Sequence, residues 1–214
     1  VGFFEEMGST EAVNEFSNTK QVGGKAINQY TTIGDKDDAT SLDNMKKALE
    51  YIEEGNSYRT SGDNNFEPMD ALKITDQLMA IGQINANASA VTMNHTNNWG
   101  INSDVNGEIL AWSNDPYDGW YTGEKAFYDF NGGPVKYADN KNYQYGWWRL
   151  NTTGHYELIM NRSFLYTGFG YRTNGLCDIQ VFASRTNQSQ AYTVADYKTR
   201  FMNYYNALLE AKTN

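Results

Sequence analysis

Leu165-Tyr166-Thr167-Gly168-Phe169-Gly170-Tyr171-Arg172-Thr173-Asn174-Gly175-Leu176-Cys177-Asp178-Ile179-Gln180-Val181-Phe182-Ala183-Ser184 reads as two strands, 165–172 and 178–184, folded back at Asn174-Gly175. An Asn-Gly pair suits the positive φ angles of a tight hairpin turn. In the second run Ile179, Val181 and Ala183 share one face and Phe182 takes the other. The strands come late, after helical patterns and a loop-rich centre. That order predicts an α+β domain rather than an alternating βαβ fold.

Upstream, Leu42, Met45, Leu49 and Ile52 recur at helical spacing behind a Ser41 cap, with Gly55-Asn56 as the expected stop. A polar loop over 60–65 leads through Pro68-Met69-Asp70 to a second helix. Its pattern spans about 70–91, carries Leu72, Leu78, Ile81 and Ile84, and ends in Ala86, Ala88 and Ala90. Asn94-His95-Thr96-Asn97-Asn98-Trp99-Gly100 is a loop, and Gly107 to Trp112 a short strand or tight turn. Asn114-Asp115-Pro116 opens a third helix that places Trp120, Glu124 and Tyr128 on one face and stops at Asn131-Gly132-Gly133-Pro134. An aromatic loop with Tyr143, Tyr145, Trp147 and Trp148 follows, then a short helix from Gly154 to Asn161. Residues 1–40 read as a lead-in segment with a short helix near Thr10 to Phe16. Residues 41–190 form the main domain, and 191–214 a C-terminal helix packed on it through Tyr197, Phe201, Tyr204 and Leu208, with Thr193 and Asp196 as its capping pair.

The chain has 214 residues, 40% of them hydrophobic, with 16 Tyr, 10 Phe and 5 Trp, enough bulk to close one core. Disorder, collagen and coiled coil are excluded, and no apolar run is long enough for a transmembrane segment. A formal net charge of -9 opposes a phosphate backbone, so no nucleic acid partner is expected. The single cysteine, Cys177, forms no intramolecular disulfide and is expected to be structural. The chain begins at Val1 without a signal peptide, and the expectation is a processed chain whose targeting segment is gone. The acidic run Asp35 to Asp38 is read as a solvated turn and the aromatic segments as core or cleft wall.

Only two histidines occur, His95 and His155, each in a Gly- or Asn-rich context where loops gather function. Around them a series of local motifs runs in a fixed order. It comprises Asn56 with Arg59, then Leu72-Lys73-Ile74 with Asp76, the small residues Ala80 to Ala90, and Asn94-His95. Gly107-Glu108-Ile109-Leu110-Ala111, Trp120-Tyr121 with Glu124 and Tyr128, Gly154-His155-Tyr156, and Tyr166 to Gly170 complete it. This series resembles the CAP superfamily (cysteine-rich secretory, antigen 5 and pathogenesis-related 1 proteins), in its bacterial, SCP-like extracellular branch, over residues 42 to 184. The resemblance implies a three-layer α-β-α sandwich with a mostly antiparallel central sheet. It also implies a cleft lined by His95, Glu108, Glu124 and His155 that holds a divalent metal ion. Two imidazoles with carboxylates suit zinc or a similar first-row ion, and one carboxylate can stand behind an imidazole and fix its tautomer. Two departures stand out: Glu124 follows Trp120 by four residues where the commonest family pattern has three, and Glu157-Leu158-Ile159 replaces the usual stretch after Gly-His-Tyr, which puts Glu157 near the cleft.

The function implied is that of a secreted or cell-surface binding protein, more a binder than an enzyme, whose cleft holds the ion and takes a small ligand, lipid, glycan or protein. Two alternatives stand beside it. One is a metal-dependent, peptidase-like hydrolase with Glu108 or Glu124 as the catalytic base and the histidines as metal ligands. The other is a lipid- or sterol-binding protein walled by the aromatic segments, with the four polar residues incidental.

Overall fold

A computed structural model of the chain describes residues 1–136, 152–173, 176–187 and 190–213. In chain order it comprises α1 (Gly2–Glu6), α2 (Thr10–Glu15), β1 (Gln21–Val22), β2 (Lys25–Ala26), a 3-10 turn (Ile27–Tyr30), α3 (Leu42–Ser61), β3 (Lys73–Ile74), α4 (Asp76–Thr92) and β4 (Val105–Ala111). A π-helical turn (Asp118–Gly123), α5 (Glu124–Asn131), α6 (Gly154–Ile159), β5 (Tyr166–Arg172), β6 (Cys177–Ala183) and α7 (Val194–Thr213) complete it. The expected hairpin is β5 paired antiparallel with β6. Its turn residues Asn174 and Gly175, and the aromatic loop with Tyr143, Tyr145, Trp147 and Trp148, lie outside the described residues.

The four-stranded sheet is mixed, in the order β3-β5-β6-β4: β3 runs parallel to β5, and the other neighbours are antiparallel. Helices pack on both of its faces. Ile179, Val181 and Ala183 of β6 pack with Leu78, Ile81 and Ala86 of α4, whereas Phe182 joins the larger core on the opposite side. On β5 the alternation is sharper. Phe169 stacks on Tyr51 of α3 at 5.4 Å between ring centroids, and its neighbours Gly168 and Gly170 meet α4 backbone to backbone. A Cβ on Gly168 would lie 2.0 Å from the Leu78 carbonyl carbon, and one on Gly170 would lie 2.0 Å from the Gly82 oxygen. The Thr-Gly-Phe-Gly run is therefore a seam with no side chain between helix and strand.

Ser41 and Thr75 start α3 and α4, their hydroxyls accepting from the Asn44 and Leu78 amides at 3.2 Å. Both helices differ in extent from the sequence reading. Helix α3 runs past Gly55-Asn56 to Ser61, because Gly55 lies beneath the Tyr117 ring and Asn56 turns its amide onto β3's approach. Helix α4 begins at Asp76 rather than near residue 70, because Lys73 and Ile74 are taken up by pairing with Tyr166 and Thr167. The first forty residues add core that local pattern did not reveal: Phe3 and Phe4 of α1 are buried, and Phe3 meets Tyr197 and Phe201 of α7 edge to face at 5.8 and 5.6 Å. No helix among the described residues is long and apolar enough to cross a membrane.

The Asn-x-x-Arg motif at the end of α3 is a backbone clamp. Asn56 donates to the Leu72 carbonyl at 3.0 Å and accepts from the Leu72 amide at 2.8 Å. Arg59, 2% exposed, donates through Nη1 to the carbonyls of Ile159 at 2.7 Å and Asn161 at 2.9 Å, through Nη2 to Phe164 at 3.0 Å, and through Nε to Asp70 at 3.2 Å. One guanidinium thus ties α3, the entry to β3, the exit of α6 and the entry to β5. Burial pushes it down to about 10, leaving it charged at neutral pH. A second buried ionisable group is Asp178 of β6, which is fully buried with no side-chain partner among the described residues; burial pushes it up to about 8, against a smaller opposing pull from the Ser113 backbone amide.

Replacing Arg59 by Leu leaves several buried carbonyls without donors, at roughly 1 kcal/mol or more each, so the variant should lose about 3 kcal/mol or more in denaturant melts. A loss below about 1 kcal/mol would show that the carbonyls find other partners. For Asp178, the folded chain keeps a proton that the unfolded chain releases near pH 4. Its stabilising contribution is fully present below about pH 4 and is lost as pH rises through about 8. Denaturant midpoints measured from pH 5 to pH 8.5 should therefore fall with pH, and Asp178→Asn should flatten the slope. An unchanged slope in that variant would move the effect to another group.

Candidate functional site

His95 sits on the loop that leaves α4. Three non-glycine residues of that stretch, Met93, Asn97 and Asn102, take left-handed φ values of 54°, 52° and 51°, a costly backbone that persists only where the surroundings hold it. Glu108 comes from β4, one of the two edge strands of the sheet. A bulge between Val105 and Gly107 shifts the register there, so that Val105 and Leu110 pack in the α4-side cluster while Gly107 faces the Phe164 ring. Glu108 thereby points toward α4. Its Oε1 lies 2.6 Å from His95 Nδ1, and its Oε2 accepts from the Asn85 amide of α4 at 2.7 Å. The Glu108 side chain is 1% exposed and the His95 side chain 41%, so the acid stands behind the imidazole and the ring faces outward.

The second pair repeats this arrangement from helices. Glu124 opens α5 directly after the π-helical turn, and His155 lies in the first turn of α6. Glu124 Oε1 is 2.6 Å from His155 Nδ1, while Oε2 accepts from the backbone amides of His155 at 2.8 Å and Tyr156 at 3.0 Å. Trp120 of the π-helical turn connects the two regions. Its indole N–H donates to the Leu110 carbonyl of β4 at 3.2 Å, and its ring lies 6.1 Å from the His155 ring. Helix α6 itself packs against β4.

In both pairs the carboxylate accepts, so Nδ1–H is the donor and the Nε2 lone pair of each imidazole is left over. All four carboxylate oxygens already have partners. Among the described residues no three His, Cys, Asp or Glu side chains gather as a metal-holding group. Among the described residues His95 Nε2 and His155 Nε2 have no hydrogen-bond partner and are the nitrogens placed to take an ion or a ligand proton, with Glu108 and Glu124 fixing the tautomers from behind. Glu157 turns to its own helix start, where it accepts from the Thr153 hydroxyl at 2.5 Å. Cys177 is buried, and burial pushes its thiol well up, the state of an inert structural cysteine.

A brace outside the pairs holds α6. Asp63, on the loop after α3, accepts from the Tyr121 hydroxyl at 2.8 Å, the Tyr156 hydroxyl at 2.9 Å and the amides of Asn65 and Phe66. Burial would push its carboxyl up, but these hydrogen bonds outweigh it and hold the group below the usual range. Sequence reasoning missed Asp63, Asn85 and Asn98. For Asn85 a signal was present: an Asn inside the alanine-rich stretch of a buried helix is a polar group that must find a partner.

Glu124→Ala deprives two backbone amides and one imidazole of their acceptor, and should cost about 2–4 kcal/mol in thermal or denaturant melts. Glu124→Gln keeps an oxygen for the amides and should stay within about 1 kcal/mol of the parent while losing the hold on His155 Nδ1–H. Equal losses in the two variants would show that the amide contacts do not carry the effect. No family model, curated protein or solved structure matches the chain.

Proposed function

We propose that this chain is a CAP-like binding protein, secreted or displayed at the cell surface, that holds a divalent cation of the zinc type through His95 Nε2 and His155 Nε2. The observation that carries the reading is the repeated geometry of the two pairs, each a half-exposed imidazole held at Nδ1 by a buried carboxylate 2.6 Å away. That arrangement prepares an imidazole as a metal ligand. Two imidazole nitrogens suit a first-row ion and leave its other positions to water or ligand. Three further features support the family reading: helices on both faces of the sheet, the motif residues Asn56 and Arg59 acting as one clamp, and the π-helical turn. A π turn takes up an extra residue, which is what a spacing of four positions rather than three from Trp120 to Glu124 requires.

A binding role is favoured over hydrolysis by the carboxylates. A base that takes a proton from water needs a free oxygen, and those of Glu108 and Glu124 are committed to imidazole and amide partners.

Calorimetric titration of the metal-stripped protein with zinc near pH 7 is the test, with His95→Ala/His155→Ala as control. Binding is expected in the parent alone, and weaker at pH 5, where protons compete for the imidazoles. Zinc retained by the double variant would place the ion elsewhere, and absence of binding in the parent would overturn the metal reading.

A further inference from the structure

The geometry points to Asn85 as a positioning residue that fixes, through Glu108, which nitrogen of His95 is left free. The argument rests on the direction of a buried hydrogen-bond chain. Asn85 is fully buried in α4 and Asn98 is 2% exposed, and their amides are linked: Asn98 Nδ2 donates to Asn85 Oδ1 at 2.8 Å, and Asn85 Nδ2 donates to Glu108 Oε2 at 2.7 Å. A side-chain amide can in principle be turned end for end, and its orientation is settled by neighbours that cannot reverse. Three backbone groups settle it here. The Asn98 carbonyl can only accept, and it takes Asn85 Nδ2 at 3.0 Å. The Gly100 amide can only donate, and it gives to Asn98 Oδ1 at 3.3 Å. The Lys20 amide donates to Asn18 Oδ1 at 3.0 Å, which turns Asn18 Nδ2 onto Asn98 Oδ1, also at 3.0 Å.

The chain therefore runs one way, from residues 18–20 through Asn98 and Asn85 to Glu108. It delivers a donor to Oε2 and leaves Oε1 facing His95 Nδ1 at 2.6 Å. Without Asn85, Oε2 becomes a buried oxygen that has lost its donor, and the carboxylate is no longer held in one orientation. The carboxylate can then turn away from the imidazole, and His95 loses the acceptor that keeps Nδ1–H and frees Nε2. Among the described residues the second pair has no side-chain amide in this role, and backbone amides occupy Glu124 Oε2. His155 is thus an internal reference in the same molecule. The inference rests on the reading of His95 as a group that works through Nε2.

The experiment uses the metal-free protein, because the tautomer is a property of the chain alone. With only two histidines, long-range proton–nitrogen correlation spectra of uniformly 15N-labelled protein resolve each ring. The parent should show His95 and His155 both as Nδ1–H tautomers. In Asn85→Ala the two nitrogen resonances of His95 should converge as the tautomer becomes mixed, while those of His155 stay in place; zinc affinity should fall about tenfold. Asn98→Ala removes the donor that orients Asn85 and should move His95 in the same direction by less, which keeps the test available if Asn85→Ala does not fold. His95 resonances unchanged in a folded variant, with His155 also unchanged, would overturn the assignment and leave Asn85 a structural residue. A parent that binds no zinc but shows the His95 shift would overturn only the metal reading.

Discussion

A guanidinium taken out of water and surrounded by peptide carbonyls is the constraint on which the rest of this fold depends. Arg59 carries a full charge into the interior, and the charge is tolerable because carbonyl dipoles from three separate segments turn toward it. Two of those carbonyls, from Ile159 and Asn161, lie at the exit of α6, where the helix dipole favours a cation. The position of α6, and with it that of His155, is fixed by an interaction made at the opposite end of the helix from the imidazole. Asn56, one helical turn earlier, does the same for the approach to β3.

The two histidine–glutamate pairs reach similar chemistry by different means. His95 stands on an irregular loop, and its order comes from side-chain amides and a strand bulge behind it. His155 stands on a short helix, and its order comes from Glu124 receiving the first amides of that helix, with Asp63 holding Tyr121 and Tyr156 beyond. A loop residue needs lateral support because its own backbone supplies little, whereas a residue at a helix start has unpaired amides that an acid can take. The wider turn over Asp118–Gly123 gives Glu124 its place there.

Much of this was legible in the sequence, and the exceptions have a common cause. The hairpin, the capped start of α3 at Ser41, the α7 stripe at Tyr197 and Phe201, and the split of Ile179, Val181 and Ala183 from Phe182 all follow from local periodicity, and the structure has each of them. Gly55 and Asn56 misled as a helix stop because their roles are tertiary: a ring above one, a distant backbone clamped by the other. The first forty residues read as a lead-in because Phe3 and Phe4 find their partners almost two hundred residues away on α7. The residue types of the site were visible, but pairings such as Glu108 Oε2 with Asn85 depend on a bulge and a helix approach that no spacing encodes.

The glycine seam between α4 and β5 has a mechanical consequence. Where side chains separate two elements, a push on one is absorbed by rotamer changes before it reaches the other. At Gly168 and Gly170 there is nothing to absorb it, because main chain lies directly on main chain. Helix and hairpin therefore move as a single plate, and the loop bearing His95 is hinged to the rim of that plate at Met93. A load applied at the loop reaches the centre of the sheet undamped.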